Sequence, residues 1–484
     1  GTTPMSSEQK TRARGHSNRQ QAHDSAGPTS MYQSREKVYP REVHGRFQRL
    51  RTTAVFALLG LFYLLPWVPW GERQAVLFDL PARQFHIFGI TFWPQDFIYL
   101  TLLLIICALG LFFVTAVAGR VWCGYACPQT VWTEVFMWIE RKIEGDRSKR
   151  IKLDKAPWTL DKIWKKTTKH GAWVALGLWT GFTFVGFFTP ITELGARTLS
   201  AELGGWETFW LLFYGFATWG NAGFLRENVC LYMCPYARFQ SAMFDRDTLV
   251  ISYDESRGEP RGPRRRDADR SALGLGDCID CNMCVQACPT GIDIREGLQY
   301  ECIACGACID ACDNVMDRMG YPRGLIRYTT ENSLEGKPAR LLRPRVVIYG
   351  LLLLVLAAVF VAGIGLRTPL RLDVIPDRNT LYRDTEAGMV ENVYTLKIMN
   401  MDQQPHTYTL SAAGLEGLSI ESRPARIEVA PGEVRTVPAS LRVDPAAVGP
   451  GGHDVRITLQ ATGASDLRVV EETRFHAPVE GGRR

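Results

Sequence analysis

Eight cysteines lie within 35 residues of the chain, in two runs that have the same spacing. The first run consists of Cys278, Cys281, Cys284 and Cys288, and the second of Cys302, Cys305, Cys308 and Cys312. Four thiolates spaced C-x2-C-x2-C-x3-C bind the iron corners of a [4Fe–4S] cubane. Zinc sites use two pairs of cysteines instead, and disulfide frameworks are typical of small secreted chains. The spacing therefore predicts two [4Fe–4S] clusters.

The fourth cysteine of each run is expected to bind the cluster of the other run. The first three cysteines wrap one cluster in a tight loop, whereas the fourth reaches across to the second cluster. The predicted ligands are Cys278, Cys281, Cys284 and Cys312 for cluster 1, and Cys302, Cys305, Cys308 and Cys288 for cluster 2. Pro289 follows the first run, whereas Asp313 follows the second. This proline shapes the turn after the last cysteine and does not bind iron, so the difference does not change the predicted iron ligands.

A second cysteine motif, CxxxCP, occurs twice. Its copies read Cys123-Gly-Tyr-Ala-Cys127-Pro128 and Cys230-Leu-Tyr-Met-Cys234-Pro235. If the motif is helical, this spacing places both thiols on one helix face. Two such faces could converge as four soft thiolates, suited to Cu(I), zinc or an iron–sulfur cluster. Thiol redox chemistry and simple burial are the alternatives. We favour metal contact, whereas the isolated Cys107 is expected to be a packing residue.

Five apolar stretches are long enough to cross a bilayer, which takes about 20 residues in a helix. They cover residues 53–70, 97–118, 172–190, 207–224 and 346–366. The third and fourth are rich in aromatic residues and glycine, which makes their signal the weakest. A buried core helix is the alternative for each stretch, but five in one chain favour a membrane protein. The copies of CxxxCP follow the second and the fourth stretch.

The distribution of charge predicts the orientation in the membrane. Lys and Arg accumulate in residues 141–169, whereas 71–96 and 191–206 carry few charges of both signs. An excess of Lys and Arg marks the cytoplasmic side. We therefore expect a bacterial inner-membrane protein whose N-terminus and cluster segment lie in the cytoplasm and whose C-terminus lies in the periplasm. The net charge of +6 reflects this bias and gives no reason to expect nucleic-acid binding.

The residues after the fifth stretch follow a different pattern. Apolar and polar residues alternate over 394–398 and 455–460, and turns rich in Pro and Gly separate such runs. Alternation with period two and frequent turns predicts an immunoglobulin-like β-sandwich. Met399, Met401 and His406 could bind Cu(I) here, but packing of the methionines is the simpler interpretation.

Together these features predict a membrane α-helical protein with five transmembrane helices, an inserted ferredoxin-like α+β segment and a C-terminal all-β domain. The predicted parts are a disordered cytoplasmic tail (1–45), a four-helix membrane domain with both CxxxCP motifs (46–245), a cytoplasmic two-cluster domain (246–340), the fifth transmembrane helix (341–368) and a periplasmic sandwich (369–484). The tail is polar, which is typical of disorder rather than of a secretory signal.

Several segments resemble the cytochrome c oxidase accessory proteins called CcoG, FixG or RdxA. The resemblance rests on Cys234–Val250 and Cys312–Tyr328, and extends to Cys123–Trp132 and Asp377–Tyr382. It covers the chain except for roughly the first 40 residues, which fits the variability of chain termini. These motifs are specific to that family rather than to ferredoxins in general.

The resemblance implies a membrane cupric reductase that passes electrons through two [4Fe–4S] clusters to copper, for the assembly of cbb-type cytochrome c oxidase. Copper is then the substrate, and the expected partners are a copper-transporting P-type ATPase and oxidase assembly factors, with an unknown electron donor. The candidate copper contacts are Cys123, Cys127, Cys230 and Cys234. Thiolates favour Cu(I), which agrees with such a role. The alternatives are an electron-transfer subunit of a quinol-oxidising membrane complex and a redox-sensing assembly scaffold.

Overall fold

The computed structural model describes residues 37–478, except for 269, 271, 379, 403 and 464–466 and for the side chains of 238 and 241. The chain forms two compact units. Unit 1 draws its described residues from Gly1–Arg49, Trp138–Lys169 and Ile251–Arg327, and unit 2 from Leu50–Met137, His170–Val250 and Tyr328–Arg484. Unit 1 contains both cysteine runs, and unit 2 contains both CxxxCP motifs. Residues 1–36 of the predicted tail lie outside the described residues.

Helices make up most of the described residues up to residue 365. The α-helices are α1 (Arg46–Leu64), α2 (Phe97–Ala118), α3 (Val121–Tyr125), α4 (Pro128–Glu144), α5 (Arg147–Lys155), α6 (Leu160–Val185), α7 (Ile191–Leu199), α8 (Gly205–Thr218), α9 (Pro235–Met243), α10 (Glu255–Gly258), α11 (Met283–Ala287), α12 (Ala307–Met319), α13 (Glu331–Leu334) and α14 (Pro344–Gly365). Two π-helical segments, Trp219–Leu225 and Val229–Met233, follow α8. Short 3-10 helices lie at Leu65–Trp67, Pro94–Asp96, Ile294–Glu296 and Pro445–Ala447.

The strands of the described residues form five sheets. They are β1 (Pro69–Trp70), β2 (Arg73–Gln74), β3 (Val76–Asp79), β4 (Gln84–Ile87), β5 (Ile90–Phe92), β6 (Val250–Tyr253), β7 (Ile326–Thr329), β8 (Leu370–Pro376), β9 (Arg383–Asp384), β10 (Val390–Asn400), β11 (His406–Ala413), β12 (Ser419–Ser422), β13 (Ile427–Val429), β14 (Val434–Val443), β15 (Gly451–Ala461) and β16 (Arg468–Ala477). Their orders are β1-β2, β3-β4-β5, β6-β7, β12-β14-β10-β8 with β9 beside β10, and β13-β11-β15-β16.

Three helices, not five, are long and apolar enough to cross a membrane among the described residues. They are Arg46–Trp67, Pro94–Ala118 and Pro344–Gly365. The predicted spans at 172–190 and 207–224 are corrected here. The predicted span at 172–190 lies largely in α6, whose N-terminal half is basic. The predicted span at 207–224 begins in α8, which is only 14 residues long before the π-helical segment begins. A span needs about 20 predominantly apolar residues, which neither α-helix supplies.

The C-terminal part of unit 2 is the predicted all-β domain. The five-stranded and four-stranded sheets enclose a core in which Tyr394, Leu396 and Ile398 of β10 are buried. On the opposite sheet, Val455, Ile457 and Leu459 of β15 are also buried. Their alternation along each strand sends every second side chain into the core, as pleated strands require. The prediction of an immunoglobulin-like β domain is therefore confirmed, although Thr458 is buried rather than exposed.

Within unit 1, two residues of the basic segment form buried ion pairs. The carboxylates of Glu140 and Glu144 are fully buried, and they pair with Arg150 Nη1 at 3.0 Å and Lys169 Nζ at 2.8 Å. Arg150 also donates a hydrogen bond to the carbonyl of Pro40, in the only part of the predicted tail that the structure describes. Burying charges is tolerated when they are paired in this way. Residues 37–45 thus have defined contacts in this unit.

The start of α1 is anchored beside the second cysteine run, within unit 1. The amides of Phe47 and Gln48 donate to the carboxylate of Asp310 at 3.2 and 2.7 Å. Asp310 is buried in α12, between Cys308 and Cys312. A carboxylate is a favourable partner for the unpaired amides at a helix N-terminus. The first turn of α1 is thereby held by the helix that carries two predicted cluster ligands.

Candidate metal centres

The two cysteine runs fold into loops with the same backbone signature. The residues with left-handed φ angles are Asp280 (53°), Asn282 (56°), Ala304 (52°) and Gly306 (76°). Asp280 and Asn282 are the second and fourth residues after Cys278. Ala304 and Gly306 occupy the same two positions after Cys302. Side chains of L-residues disfavour this region, so such residues persist only where the surroundings enforce them, as at ligand sites. The shared geometry indicates that both loops are shaped to surround the same kind of group.

Two short helices place the remaining cysteines of the runs. Cys284 is the second residue of α11, and Cys308 is the second residue of α12. Cys288 immediately follows α11, whereas Cys312 lies one turn further along α12. The third cysteine of each run therefore occupies an equivalent place, and the fourth leaves its own loop.

Two cavities collect the eight thiols into the sets that the spacing predicts. One cavity is lined by Cys278, Cys281, Cys284 and Cys312, and the other by Cys288, Cys302, Cys305 and Cys308; Cys284 lines both. Apolar side chains make up much of both walls, including Ile251, Ile292 and Ile294 in one and Val315, Met316 and Leu325 in the other. Four thiols in a largely apolar cavity fit a [4Fe–4S] cluster.

The two cavities differ in exposure. Cys281 is exposed, whereas Cys278, Cys284 and Cys305 are buried. Burial raises the pKa of Cys284 to about 11 and that of Cys312 to about 12. Because metals bind thiolates, binding must displace protons from these thiols. Through Cys281, the cavity of predicted cluster 1 has a thiol at the protein surface.

Two further residues support these cavities and were not identified from the sequence. Arg295 is buried in the wall of the first cavity, donates to Asp280 at 2.6 Å and also bonds Asn282, so it fixes both strained residues of that loop. Thr290 Oγ1 lies 3.2 Å from Cys288 Sγ. Such outer contacts orient metal ligands. Thr290 follows the Cys-Pro pair directly and could have been noticed, whereas nothing in the spacing points to Arg295.

The CxxxCP motif does not form one helix, contrary to the helical arrangement considered above. In the first copy, α3 ends at Tyr125 and Cys127 precedes α4. In the second copy, Cys230 lies in the π-helical segment Val229–Met233, and Cys234 is the N-cap residue of α9. The proline of each motif is the first residue of the next helix, a position that proline favours because it has no amide hydrogen to leave unpaired. The second cysteine of each copy therefore lies at a helix N-terminus.

The four CxxxCP thiols nevertheless lie within electrostatic reach of one another in unit 2. Burial raises the pKa of Cys230 to about 12, and the neighbouring thiols of Cys127, Cys123 and Cys234 add to the effect. Burial likewise raises the pKa of Cys123 to about 11, with contributions from Cys127 and Cys234. Burial also raises the pKa of Cys127, and backbone hydrogen bonds from the first turn of α4 partly offset this rise. We call Cys123, Cys127, Cys230 and Cys234 the four-thiol site.

Among the described residues, no three His, Cys, Asp or Glu side chains are grouped tightly enough to hold a single metal ion. This holds for the four-thiol site as well as for the two cysteine cavities. A cubane spreads its thiolate ligands over four separate iron corners, so a cluster cavity need not bring three thiols around one point. A single ion at the four-thiol site would have to use fewer than three of the thiols as they stand here.

Comparison with known proteins identifies the family. The chain is 42% identical over 404 residues to protein RdxA of Cereibacter sphaeroides, covering 80% of this chain and 84% of RdxA. It is 38% identical over 424 residues to the nitrogen fixation protein FixG of Rhizobium meliloti, covering 80% of each chain. The chain belongs to the FixG/RdxA family. The predicted membership is thus confirmed.

Family models match three parts of this FixG/RdxA-family chain. A 4Fe-4S dicluster domain matches residues 225–331, a 4Fe-4S binding domain matches 100–145, and the immunoglobulin-like fold at the C-terminus of FixG matches 360–478. A FixG-related protein from Vibrio parahaemolyticus, known from a crystal structure, is 36% identical over 22% of this chain and 95% of its own, with a TM-score of 0.21. The chain is therefore a membrane iron–sulfur electron-transfer protein.

The methionines and histidine of the β domain have other contacts than a metal. Met399 is buried, and the sulfur of Met401 accepts a hydrogen bond from Arg367. His406 Nε2 lies 2.7 Å from Asp402 Oδ2. These contacts agree with the packing interpretation. Cys107, by contrast, is an exposed residue on α2, inside an apolar helix of membrane-spanning length.

Proposed function

We propose that this protein is a membrane cupric reductase that supplies Cu(I) for the assembly of a cbb-type cytochrome c oxidase. The observation that carries the proposal is the coexistence of two four-cysteine cavities with four further thiols that lie within electrostatic reach of one another. When bound, the clusters supply one-electron transfer at low potential. The residues that would hold them are the eight cysteines of the two runs, in the crossed sets given above.

In this proposal the four-thiol site is where copper gains its electron. Each Cu(II) takes up one electron and becomes Cu(I), and an external one-electron donor restores the protein. Thiolates stabilise Cu(I) relative to Cu(II), which makes this reduction more favourable. Two thiolates suffice for Cu(I), so a pair from the four-thiol site can bind it without a preformed group of three ligands. The four thiols are half-buried, which limits the access of oxygen to the bound ion.

The proposal is tested by measuring copper reduction directly. Purified full-length protein, with its clusters reduced by dithionite and the excess reductant removed, is mixed with Cu(II) and a chromogenic Cu(I) chelator. We expect Cu(I) to form as the visible absorbance of the clusters returns to the oxidised state, with one electron per copper. Oxidation of the clusters by a quinone, with no reaction toward Cu(II), would contradict the proposal and favour the quinol-linked alternative.

The proposed orientation places the N-terminus and unit 1 in the cytoplasm and the β domain in the periplasm. It rests on the Lys and Arg excess of residues 141–169 and on the suitability of a reducing compartment for thiolate-bound clusters. A copper-transporting P-type ATPase and oxidase assembly factors are the proposed partners.

Alkaline phosphatase fusions test this orientation. A fusion after Arg484 is expected to be active, because the enzyme needs the oxidising periplasm to form its disulfides. A fusion near Glu331 is expected to be inactive, and a green fluorescent protein fusion at the same position to be fluorescent. Phosphatase activity at Glu331 would show that the clusters lie on the other side of the membrane.

A further inference from the structure

An arginine-rich stretch lies shortly before the first cysteine run, in unit 1. Residues 257–270, which we call the arginine segment, contain six arginines and three carboxylate residues, so the segment has an excess of positive charge. Its backbone is hydrogen-bonded to the start of the run. The amide of Gly262 donates to the carbonyl of Cys278 at 3.3 Å, and the amide of Cys278 donates to the carbonyl of Gly258 at 3.4 Å. The described part of the segment is thus held against the loop that carries ligands of predicted cluster 1.

Three consecutive arginines of the segment form no ion pair in the part of the chain that the structure describes. The guanidinium of Arg264 donates to the carbonyl of Cys278 at 3.3 Å and to the hydroxyl of Tyr321 at 3.0 Å, and neither acceptor is a carboxylate. Arg265 and Arg266 are exposed. A guanidinium remains protonated in proteins. These three side chains therefore place positive charge beside the first cysteine run.

Other arginines of the segment pair with carboxylates of the same region. The buried carboxylate of Asp277 lies 2.5 Å from Arg257 and also pairs with Arg270. Glu259 Oε1 lies 3.6 Å from Arg261. These pairs fix the shape of the segment, because they join its two ends to the residue that precedes the first cysteine. The three consecutive arginines are thus presented on a part of unit 1 with defined contacts.

The exposed part of the first run lies next to the arginine segment. Residues 280–282, which have a predicted cluster ligand at their centre, are exposed. Arg261 Nε is 4.0 Å from Asp280 Oδ1. Arg41, which comes from a distant part of the sequence, donates to the sulfur of Met283 at 3.2 Å and is itself exposed. Basic side chains therefore border the place where the cavity of predicted cluster 1 reaches the protein surface.

We propose that the arginine segment is the docking surface for an acidic, soluble protein that carries single electrons. This inference rests on the proposed function, which needs an external one-electron donor. In each encounter the reduced carrier loses one electron and this protein gains it. Complementary charge speeds such encounters and orients the two surfaces. Electron-transfer contacts are small and weak, so a charged patch of this kind suits them better than a large apolar interface.

Anionic lipid headgroups are the other partner that exposed arginines attract. The position of the segment favours the carrier protein. Electron transfer requires close approach of donor and acceptor, and the arginines border the exposed ligand of predicted cluster 1. Binding of headgroups would give no reason for the arginines to lie at this ligand.

The experiment uses a flavodoxin, a small acidic protein whose flavin carries single electrons, and the full-length protein in phosphatidylcholine nanodiscs. Stopped-flow absorbance gives the rate at which reduced flavodoxin reduces the clusters at several salt concentrations. The Kd of oxidised flavodoxin, which passes no electrons, is measured separately. The test variant combines Arg265→Glu with Arg266→Glu. The matched control combines Lys149→Glu with Lys152→Glu, which makes the same change of charge at two exposed positions of α5. Iron content and cluster absorbance verify that each variant is folded.

At low salt we expect the arginine variant to react with flavodoxin about tenfold more slowly than the wild type, the lower end of the range for electrostatic steering. Its affinity for oxidised flavodoxin should fall as well. The difference should nearly disappear at about 1 M salt, where the screening length is about 3 Å. The lysine control should remain close to the wild type in both measurements.

Equal rates and equal Kd values for the arginine variant and the wild type would overturn the inference. An equally large loss in the lysine control would also overturn it, because net charge rather than this segment would then be responsible. So would an effect that appears only after phosphatidylglycerol is added to the nanodiscs, since the arginines would then bind headgroups. No copper is present, so these outcomes leave the proposed function untouched. A protein that flavodoxin reduces normally but that fails to reduce Cu(II) would instead contradict the proposed function alone.

Discussion

A variant with serine at all four positions of the four-thiol site is expected to reduce Cu(II) at a rate at least about 100-fold below that of the wild type. This loss exceeds the one expected from removing an outer contact of a metal ligand. Hydroxyl oxygens are hard ligands that do not stabilise Cu(I), so the driving force for reduction falls. The changed residues are Cys123, Cys127, Cys230 and Cys234. Both clusters should remain, because all eight cysteines of the two runs are intact and lie in unit 1.

The measurement is the initial rate of Cu(I)–chelator formation by dithionite-reduced, full-length protein, normalised to its iron content. Cys107→Ser is the matched control, because this cysteine lies alone on α2 and is exposed. It should leave both the rate and the clusters unchanged. Full clusters with a normal rate in the four-serine variant would contradict the copper role of the site. The point of reduction would then have to be the clusters or another group.

The crossed ligand sets lead to the second large effect. Changing Cys288 to serine is expected to remove the same cluster as changing Cys302, although the two belong to different runs. Likewise, Cys312→Ser should match Cys281→Ser. Each thiol lines the cavity of the set to which it is assigned, and a serine there removes one of the four iron ligands. Iron and acid-labile sulfide should fall from about eight to about four of each per chain, the content of one cubane.

Electron paramagnetic resonance of the reduced protein distinguishes the crossed sets from uncrossed ones. The spectra of Cys288→Ser and Cys302→Ser should show the same remaining cluster, and those of Cys312→Ser and Cys281→Ser the other. Interaction between two reduced clusters should disappear in all four variants. If Cys288→Ser instead matches Cys281→Ser, each run binds its own cluster. Loss of all iron in every variant would indicate that the clusters fold the unit cooperatively, and the comparison would then use cysteine-to-aspartate changes, which retain an anionic ligand.

The β domain was predictable because its signal is local. Alternation at Tyr394, Leu396 and Ile398 needs only the pleat of one strand, and these residues are buried as expected. The membrane helices were predicted less well. The aromatic and glycine-rich sequence of α8 and the residues after it is apolar on average. Composition does not reveal that the hydrogen bonding changes from α-helical to π-helical at Trp219, directly after α8.

The CxxxCP motif shows how a correct motif can be given the wrong local geometry. Spacing of four residues suggested one helix face, but Pro128 and Pro235 begin new helices. Proline at the first helical position is a sequence signal that could have been used. It would have placed Cys127 and Cys234 at helix N-termini, where a thiolate is stabilised.

The sequence by itself determined the chemistry of the two cysteine runs, because three ligands of a cluster lie within seven residues of one another and close a loop without help from the rest of the chain. Tertiary structure alone decided what surrounds the four-thiol site. Gln240 meets Cys123 across 117 residues of sequence, and Arg120 meets Ala237 across the same separation. Such contacts depend on how α3 and α9 pack, and no residue pattern along the chain encodes them. The polar contact of Cys123 therefore becomes visible only when these helices are seen together.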